Sequence, residues 1–245
     1  MIYKVSKIAI ALLTMSSCVY VSAAVIPDRT RVILNESDKS ASIVLFNQSK
    51  ELPYLAQSWI ENKEGKKDRN FLIPVPPIQR IEPQERVQIR ITSQPAIQSL
   101  PKDRESVFYY NIREIPPKAE EKNVMQFALQ SRLKVFWRPK AIELPEGDTL
   151  PFEKIKISRT SDGINVDNPT PYHFTIGYIG IDGKSLLPGS ESVMVAPYNN
   201  QSGRVSNLPM KFKVGYVGDY GGLTIFNINC NTIQPLCSSS FDKRN

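Results

Sequence analysis

The chain has few of the residues on which catalysis and metal binding usually depend. Its 245 residues include three cysteines and a single histidine, His173. One histidine leaves most hydrolase triads and most metal sites without their usual components. His173 lies at the entry to a predicted strand, and we interpret it as a structural or exposed side chain. We therefore expect no enzymatic activity, no metal and no cofactor.

Long apolar runs are also absent. The apolar stretch at 8–15, IAIALLTM, is far shorter than the roughly 20 apolar residues that a membrane-spanning helix needs, and no later stretch approaches that length. Two lysines precede it and the small residues VSA follow at 21–23, which is the pattern of a cleaved export signal. We predict that residues 1–23 are a signal peptide. The alternative is a lipoprotein signal that uses Cys18.

Cysteine is scarce in the predicted mature chain, which keeps only Cys230 and Cys237. Two closely spaced cysteines in an exported protein favour a local disulfide over two free thiols. They cannot form a zinc site by themselves, because His173 is far away in sequence. We predict a disulfide between them.

Acidic residues are fewer than basic ones, and the formal net charge is +7. Removal of residues 1–23 takes away two lysines and no acidic residue, so this charge falls to +5. A basic protein can bind nucleic acid. Export and the scatter of lysine and arginine along the chain argue against it, and we expect no nucleic-acid partner.

Helical periodicity is nearly absent, whereas short strand-like runs separated by proline and glycine occur throughout. Seven such runs in the first half predict an immunoglobulin-like sandwich: 30–36, 40–49, 53–62, 71–77, 86–93, 106–115 and 123–139. A single short helical turn is expected within 95–105. The proline-rich residues 138–148 form a predicted linker, and the strand-like runs beyond them predict a second sandwich or a barrel.

The stretch NVMQFALQSRLKVFWRP, at 123–139, alternates as a strand does. Met125, Phe127 and Leu129 share one side of it, whereas the intervening positions carry alanine and glutamine. The three large apolar side chains either pack into the core of this chain or serve to contact another protein.

Three motifs resemble the periplasmic pilus-assembly chaperones: DRTRVIL (28–34), LPKDRESVFYYNIREIPP (100–117) and the stretch at 123–139. Weaker agreement comes from VDNPTPYHFTI (166–176) and VGDYGG (217–222). The resemblance covers essentially the whole predicted mature chain. It implies two immunoglobulin-like domains, residues 24–143 and 144–245, set at an angle with a cleft between them.

The resemblance also implies a function. Members of this family bind pilin subunits in the periplasm, cap the open hydrophobic groove of each subunit by adding a strand, and deliver the subunit to the outer-membrane usher. Met125, Phe127 and Leu129 correspond to the strand that is donated. An exposed apolar edge on the free protein also permits weak self-association.

Two basic residues correspond to the family's anchor for the C-terminal carboxylate of the subunit, Arg31 and Lys134. Arginine can bind a carboxylate bidentately and lysine adds a point charge. The alternative is that each cation only extends to solvent. Lys134 is an even-numbered position and Leu129 an odd-numbered one, so regular alternation would place them on opposite faces of the strand. We therefore expect a bulge, a bend or a turn of the strand between them.

Three charged residues correspond to an ionic link between the two domains of the family, Glu105, Arg138 and Asp219. Buried ion pairs are poor evidence for stability, so the role that they imply is orientation of the domains. A rival to the chaperone hypothesis is a secreted adhesive or structural pilus protein with the same two sandwiches. A third alternative is an exported hydrolase, which the lone histidine disfavours.

Overall fold

The computed structural model describes residues 23–119, 125–181, 183–187, 192–231 and 236–242. Nearly all of the predicted signal peptide therefore lies outside the described residues. Helix is limited in the described ranges to three short 3-10 segments, Pro95–Ser99, Lys140–Ile142 and Phe152–Lys154. None of these is long and apolar enough to cross a membrane.

The first sandwich consists of nine described strands. They are β1 (Val25–Pro27), β2 (Arg31–Asn35), β3 (Ser40–Asn47), β4 (Tyr54–Glu61), β5 (Leu72–Val75), β6 (Ile78–Ile81), β7 (Arg86–Ser93), β8 (Ser106–Ile115) and β9 (Gln130–Arg138). One sheet has the order β1-β3-β7-β5 and the other the order β2-β9-β8-β4-β6. Alternate residues of both sheets, such as Ile43, Ile89 and Val135, are fully buried between them.

Consecutive strands from β1 to β8 alternate between the two sheets, and two of these changes of sheet take three residues or fewer. Antiparallel pairing joins β1 to β3, whereas β2 pairs with β9 in parallel. The predicted strand at 71–77 ends at Val75, and the chain enters the opposite sheet as β6. The first crossing is important for the site, because it places Arg31 at the start of β2 beside β9.

The second sandwich also consists of nine described strands. They are β10 (Lys156–Thr160), β11 (Gly163–Asn168), β12 (Phe174–Ile181), β13 (Lys184–Ser185), β14 (Val193–Val195), β15 (Asn199–Arg204), β16 (Lys211–Val217), β17 (Leu223–Asn229) and β18 (Ser238–Phe241). One sheet is β10-β11-β15, and the other is β13-β12-β16-β17-β18 with β14 also paired to β12. The all-β prediction is confirmed, and the second unit is a sandwich with its core between the sheets.

The predicted disulfide is confirmed. Cys230 and Cys237 are bonded at an S–S distance of 1.97 Å, and both are buried in the core of the second sandwich. The bond therefore closes a short loop between β17 and β18.

The strand predicted over 123–139 is shorter in the structure. β9 begins at Gln130, and Met125–Leu129 belongs to no strand. The neighbouring strand β8 ends at Ile115 and is followed by two prolines, which have no N–H group to donate to a ladder. The pairing of β8 with β9 ends at Arg113 and Gln130, two residues before β8 itself ends. Residues 123 and 124 lie outside the described part of the chain.

The two sandwiches are joined by residues 139–155, which contain two of the short 3-10 segments. The predicted domain boundary between residues 143 and 144 falls inside this connection and stays a prediction.

Candidate functional site

The three apolar side chains before β9 do not pack into the core of the first sandwich. Met125 is 80% exposed, Phe127 59% and Leu129 37%. Among the described residues, one backbone hydrogen bond ties the segment to the sheet, from the Glu114 N–H to the Leu129 oxygen at 3.0 Å. An apolar segment with an almost unpaired backbone can pair with a strand of another protein.

No bulge in β9 reconciles the positions of Leu129 and Lys134. The pairing of β8 with β9 runs without a shift from Arg113–Gln130 to Ser106–Trp137. Leu133, Val135 and Trp137 face the core, so Lys134 lies on the opposite face of the sheet. Residues 125–129 lie before the strand and are exposed at every position. The expected bulge is therefore absent from β9, and any change of direction lies before Gln130.

Arg31 and Lys134 are direct neighbours in the parallel pairing of β2 with β9. Arg31 is only 6% exposed, so it does not extend to solvent. Its Nη1 donates to the Val217 oxygen at 2.8 Å, whereas its buried Nε has no hydrogen-bond partner in the structure as described. The guanidinium carbon lies 5.9 Å from the centre of the Phe136 ring. Arg31 is thus fixed by the second sandwich and keeps unused donor capacity.

Lys134 is half-buried, and it makes no ion pair with any described residue. Burial lowers the pKa of Lys134, and the positive charges of Arg31 and Arg132 lower it further. Burial likewise lowers the pKa of Arg31, although the carboxylates of Asp219 and Glu105 oppose that shift. Two cations that each disfavour the other's charge would both be stabilised by one compact anion between them.

Glu105, Arg138 and Asp219 meet between the two sandwiches. Arg138 Nη2 donates to Glu105 Oε1 at 2.7 Å, and its Nη1 donates to Asp219 Oδ2 at 2.9 Å. Arg138 is 3% exposed and Glu105 4%. The charges of this trio, which we call the interdomain cluster, are therefore paired with good geometry and link the two sandwiches directly.

His173 joins the interdomain cluster, which the sequence did not indicate. Its backbone N–H donates to Glu105 Oε2 at 2.7 Å, and its ring Nδ1 lies 3.2 Å from the same oxygen. Its ring also lies 5.3 Å from that of Phe136. The histidine is thus buried and structural. The only signal was its place in the family-like motif at 166–176, because contact with Glu105 spans 68 residues of sequence.

The glycine-rich loop after β16 positions Asp219. It is a turn, closed by hydrogen bonds from Gly218 N–H to the Gly222 oxygen at 2.8 Å and from Gly221 N–H to the Gly218 oxygen at 2.9 Å. Gly221 has a positive φ of 84°, and a Cβ there would lie 2.9 Å from Thr30 Oγ1. A residue without a side chain therefore lets this loop approach the first sandwich closely.

Two family models match the chain. Residues 24–143 match the N-terminal domain of the PapD pili and flagellar-assembly chaperones, and residues 151–226 match the C-terminal domain of the PapD pili assembly chaperones.

Curated proteins and solved structures give the same result. The uncharacterized fimbrial chaperone YqiH of Escherichia coli strain K12 is 51% identical over 222 residues, covering 90% of this chain and 89% of that protein. The chaperone protein PapD of Escherichia coli is 39% identical over 230 residues, covering 93% and 94%. The crystal structure of the periplasmic chaperone SfaE has a TM-score of 0.66 and 33% identity, covering 82% of this chain and 96% of that one. The prediction of two immunoglobulin-like domains is confirmed by this likeness.

Proposed function

The chain belongs to the family of pilus-assembly chaperones, and from that membership we propose that it binds a pilin subunit in the periplasm and completes the subunit's fold with Met125–Leu129. It then delivers the subunit to the outer-membrane usher. The function needs no enzymatic activity and no nucleotide.

The observation that carries this proposal is the exposure of Met125, Phe127 and Leu129 directly before β9. A donated strand must offer large apolar side chains at every second position and a backbone free to pair. Burial of three such side chains contributes on the order of 1.5–3 kcal/mol each, or roughly 5–9 kcal/mol before the cost of ordering the segment. Association itself costs a comparable free energy, so backbone pairing and the carboxylate anchor must add to this gain for a stable complex to form.

Arg31 and Lys134 hold the C-terminal carboxylate of the subunit and so fix the register of the added strand. The anchor lies five residues along the chain from Leu129, which is roughly 17 Å in an extended strand. A subunit whose last residue sits at the two cations therefore places the residues before it alongside the donor segment. Without the anchor, a strand could pair one residue out of register and turn the wrong side chains toward the groove.

The interdomain cluster orients the two sandwiches around this anchor. Arg138 and Arg31 both contact the end of β16 and the loop after it, through Asp219 and the Val217 oxygen. Because the same piece of the second sandwich holds both arginines, the angle between the domains and the position of the anchor are coupled. The cluster's role is geometric, and it does not require contact with the subunit.

Release follows by exchange, in which the next subunit's N-terminal extension replaces the donor segment. This step needs no nucleotide, because the pairing within the finished fibre is expected to be the better packed of the two states.

The test begins with the pilin subunit that co-purifies with the chain from the periplasm of its host and is identified by mass spectrometry. That subunit, purified under denaturing conditions, is diluted into buffer with an equimolar amount of the chain, and soluble complex is measured by size-exclusion chromatography. The wild-type chain should keep the subunit soluble, whereas Phe127→Glu should not.

Ala128→Glu is the matched control, because it places the same charge one position away in the same exposed segment. It should form nearly as much complex as the wild type. Both variants should keep the wild-type melting temperature, since neither side chain is in the core. Equal capture by the wild type and Phe127→Glu would contradict the proposal.

A further inference from the structure

The outer face of the five-stranded sheet carries a group of cationic and aromatic side chains outside the core. Its members lie on β4, β8 and β9 and on the loop after β4. We call this group the basic-aromatic face, and it consists of Trp59, Glu61, Lys67, Tyr109, Arg113 and Arg132.

The cations of this face lie over aromatic rings. The Arg132 guanidinium carbon lies 3.4 Å from the centre of the Tyr109 ring. Arg113 and Lys67 approach the Trp59 ring, at 5.3 Å and 4.8 Å from its centre. A stacked guanidinium keeps its N–H edge available for a carboxylate and has less freedom to lose when one binds. Contact with the rings therefore limits the freedom of these cations.

Positive charge on the face exceeds negative charge. Its one acid, Glu61, already accepts from Arg132 Nε at 3.1 Å and from the Trp59 indole N–H at 2.9 Å. Arg113 donates to the neutral Gln130 Oε1 at 3.1 Å, and neither it nor Lys67 has an ion pair with a described residue. The face therefore favours a partner with carboxylates.

The face lies between the two contacts proposed for the subunit. At one side Tyr109 is the direct neighbour of Lys134, the carboxylate anchor. At the other side Arg113 is the direct neighbour of Gln130, the residue that follows Leu129. A folded body that reaches both the anchor and the donor segment must cover at least part of the surface between them.

We propose that the basic-aromatic face is a second contact surface for the pilin subunit and binds acidic side chains on the subunit's folded body. This inference rests on the proposed function. It adds a specificity element, since subunits that share an apolar groove and a C-terminal carboxylate still differ in the acidic residues that flank the groove.

Charge reversal at Arg113 tests the inference, with Arg86→Glu as the matched control. The Arg86 guanidinium carbon lies over the Phe46 ring, 4.4 Å from its centre, but on the other sheet of the same sandwich. The probe is the purified pilin subunit, released in denaturant from its complex and diluted onto immobilised chain, with association followed at low and high ionic strength.

Arg113→Glu should weaken binding by about tenfold, mainly through slower association, and should reduce its salt dependence. Arg86→Glu should bind as the wild type does. Arg113→Gln, which keeps a polar side chain, should lie between the two, and it replaces Arg113→Glu if that variant has a lowered melting temperature.

Two outcomes overturn the inference. One is wild-type binding by both Arg113 variants, and the other is equal loss in Arg113→Glu and Arg86→Glu, which would indicate an effect of net charge alone. The same measurement on Arg31→Ala separates this inference from the proposed function. If Arg31→Ala loses binding while the Arg113 variants bind as the wild type does, only the second contact surface is overturned. If Arg31→Ala binds as the wild type does, the carboxylate anchor itself is overturned.

Discussion

Arg31 and Lys134 lie side by side on β2 and β9, so that two cations occupy neighbouring positions of one sheet. Arg31 is buried, Lys134 is half-buried, and Lys134 has no carboxylate partner in the described parts of the chain. Such an arrangement costs stability in the free protein, because each charge is partly desolvated and repels the other. We interpret it as a functional site maintained at the expense of stability.

Lys134→Met should stabilise the free protein and abolish subunit capture. Folding lowers the pKa of Lys134, so below its pKa in the folded protein the charged lysine reduces the free energy of unfolding. This reduction becomes smaller as the pH rises from that pKa toward the pKa of the same lysine in the unfolded chain. At neutral pH, removal of the charge should raise the free energy of unfolding by about 0.5–1 kcal/mol, a modest gain because solvent still reaches the ammonium group. Urea denaturation measures this change.

Lys211→Met is the control, because Lys211 is an exposed lysine on β16 of the second sandwich. It should change neither stability nor capture appreciably. A destabilised Lys134→Met variant, or one that captures the subunit normally, would show that Lys134 is an ordinary structural residue.

Subunit binding should weaken as the pH rises, and it should do so below the pH at which an ordinary lysine titrates. The free protein holds the pKa of Lys134 below its usual value, whereas a bound carboxylate raises that pKa again. At a pH where Lys134 of the free protein is partly deprotonated, binding of the subunit takes up a proton. The affinity therefore falls as the pH rises through and above this range. Titration of the affinity over the alkaline range measures the effect.

Lys134→Arg is the control for this pH dependence. Arginine stays charged throughout the accessible range, so the alkaline loss of affinity should shift to higher pH or disappear. An unchanged alkaline limb in this variant would assign the titration to another group.

Arg138→Ala should destabilise the protein strongly. It leaves Glu105 buried with His173 as its remaining partner and removes the link to Asp219. Loss of one partner of a buried ion pair typically costs about 3–5 kcal/mol. Chemical denaturation measures the loss, and small-angle scattering should show a changed angle between the domains in the folded fraction. Arg80→Ala breaks an exposed pair with Glu82 and should leave stability almost unchanged.

The disulfide should stabilise the second sandwich by about 2 kcal/mol, the value expected for so short a loop. A Cys230→Ser, Cys237→Ser double variant should therefore unfold at a lower urea concentration than the oxidised wild type. Reductant should lower the wild-type midpoint and leave that of the double variant in place. Identical midpoints for the oxidised wild type and the double variant would show that the bond contributes nothing.

Much of the fold follows from periodicity in the sequence. The runs at 40–49, 53–62, 86–93 and 106–115 correspond closely to β3, β4, β7 and β8, because each alternates buried and exposed side chains. The changes of sheet after Pro27 and Val75 were not predicted, since a strand that leaves one sheet for another has the same local pattern as one that continues. Nothing local in the sequence distinguishes the two.

The candidate site was predictable only in part. Similarity to a family identified Arg31, Lys134 and the interdomain cluster by position, and the structure brings them together. His173 was missed because its contact with Glu105 depends on how the two domains pack. Met125–Leu129 was predicted as part of a strand because large apolar side chains alternate there with alanine and glutamine. A strand also requires a neighbouring strand to pair with, and β8 ends at Ile115.

Met125–Leu129 should become a paired strand when a subunit binds. Amide hydrogen exchange of these residues, measured with and without the purified pilin subunit, tests it most directly. In the free chain they have no ladder partner among the described residues and should exchange rapidly. The segment should be strongly protected in the complex. Rapid exchange at Met125–Leu129 within a complex that has formed would contradict it.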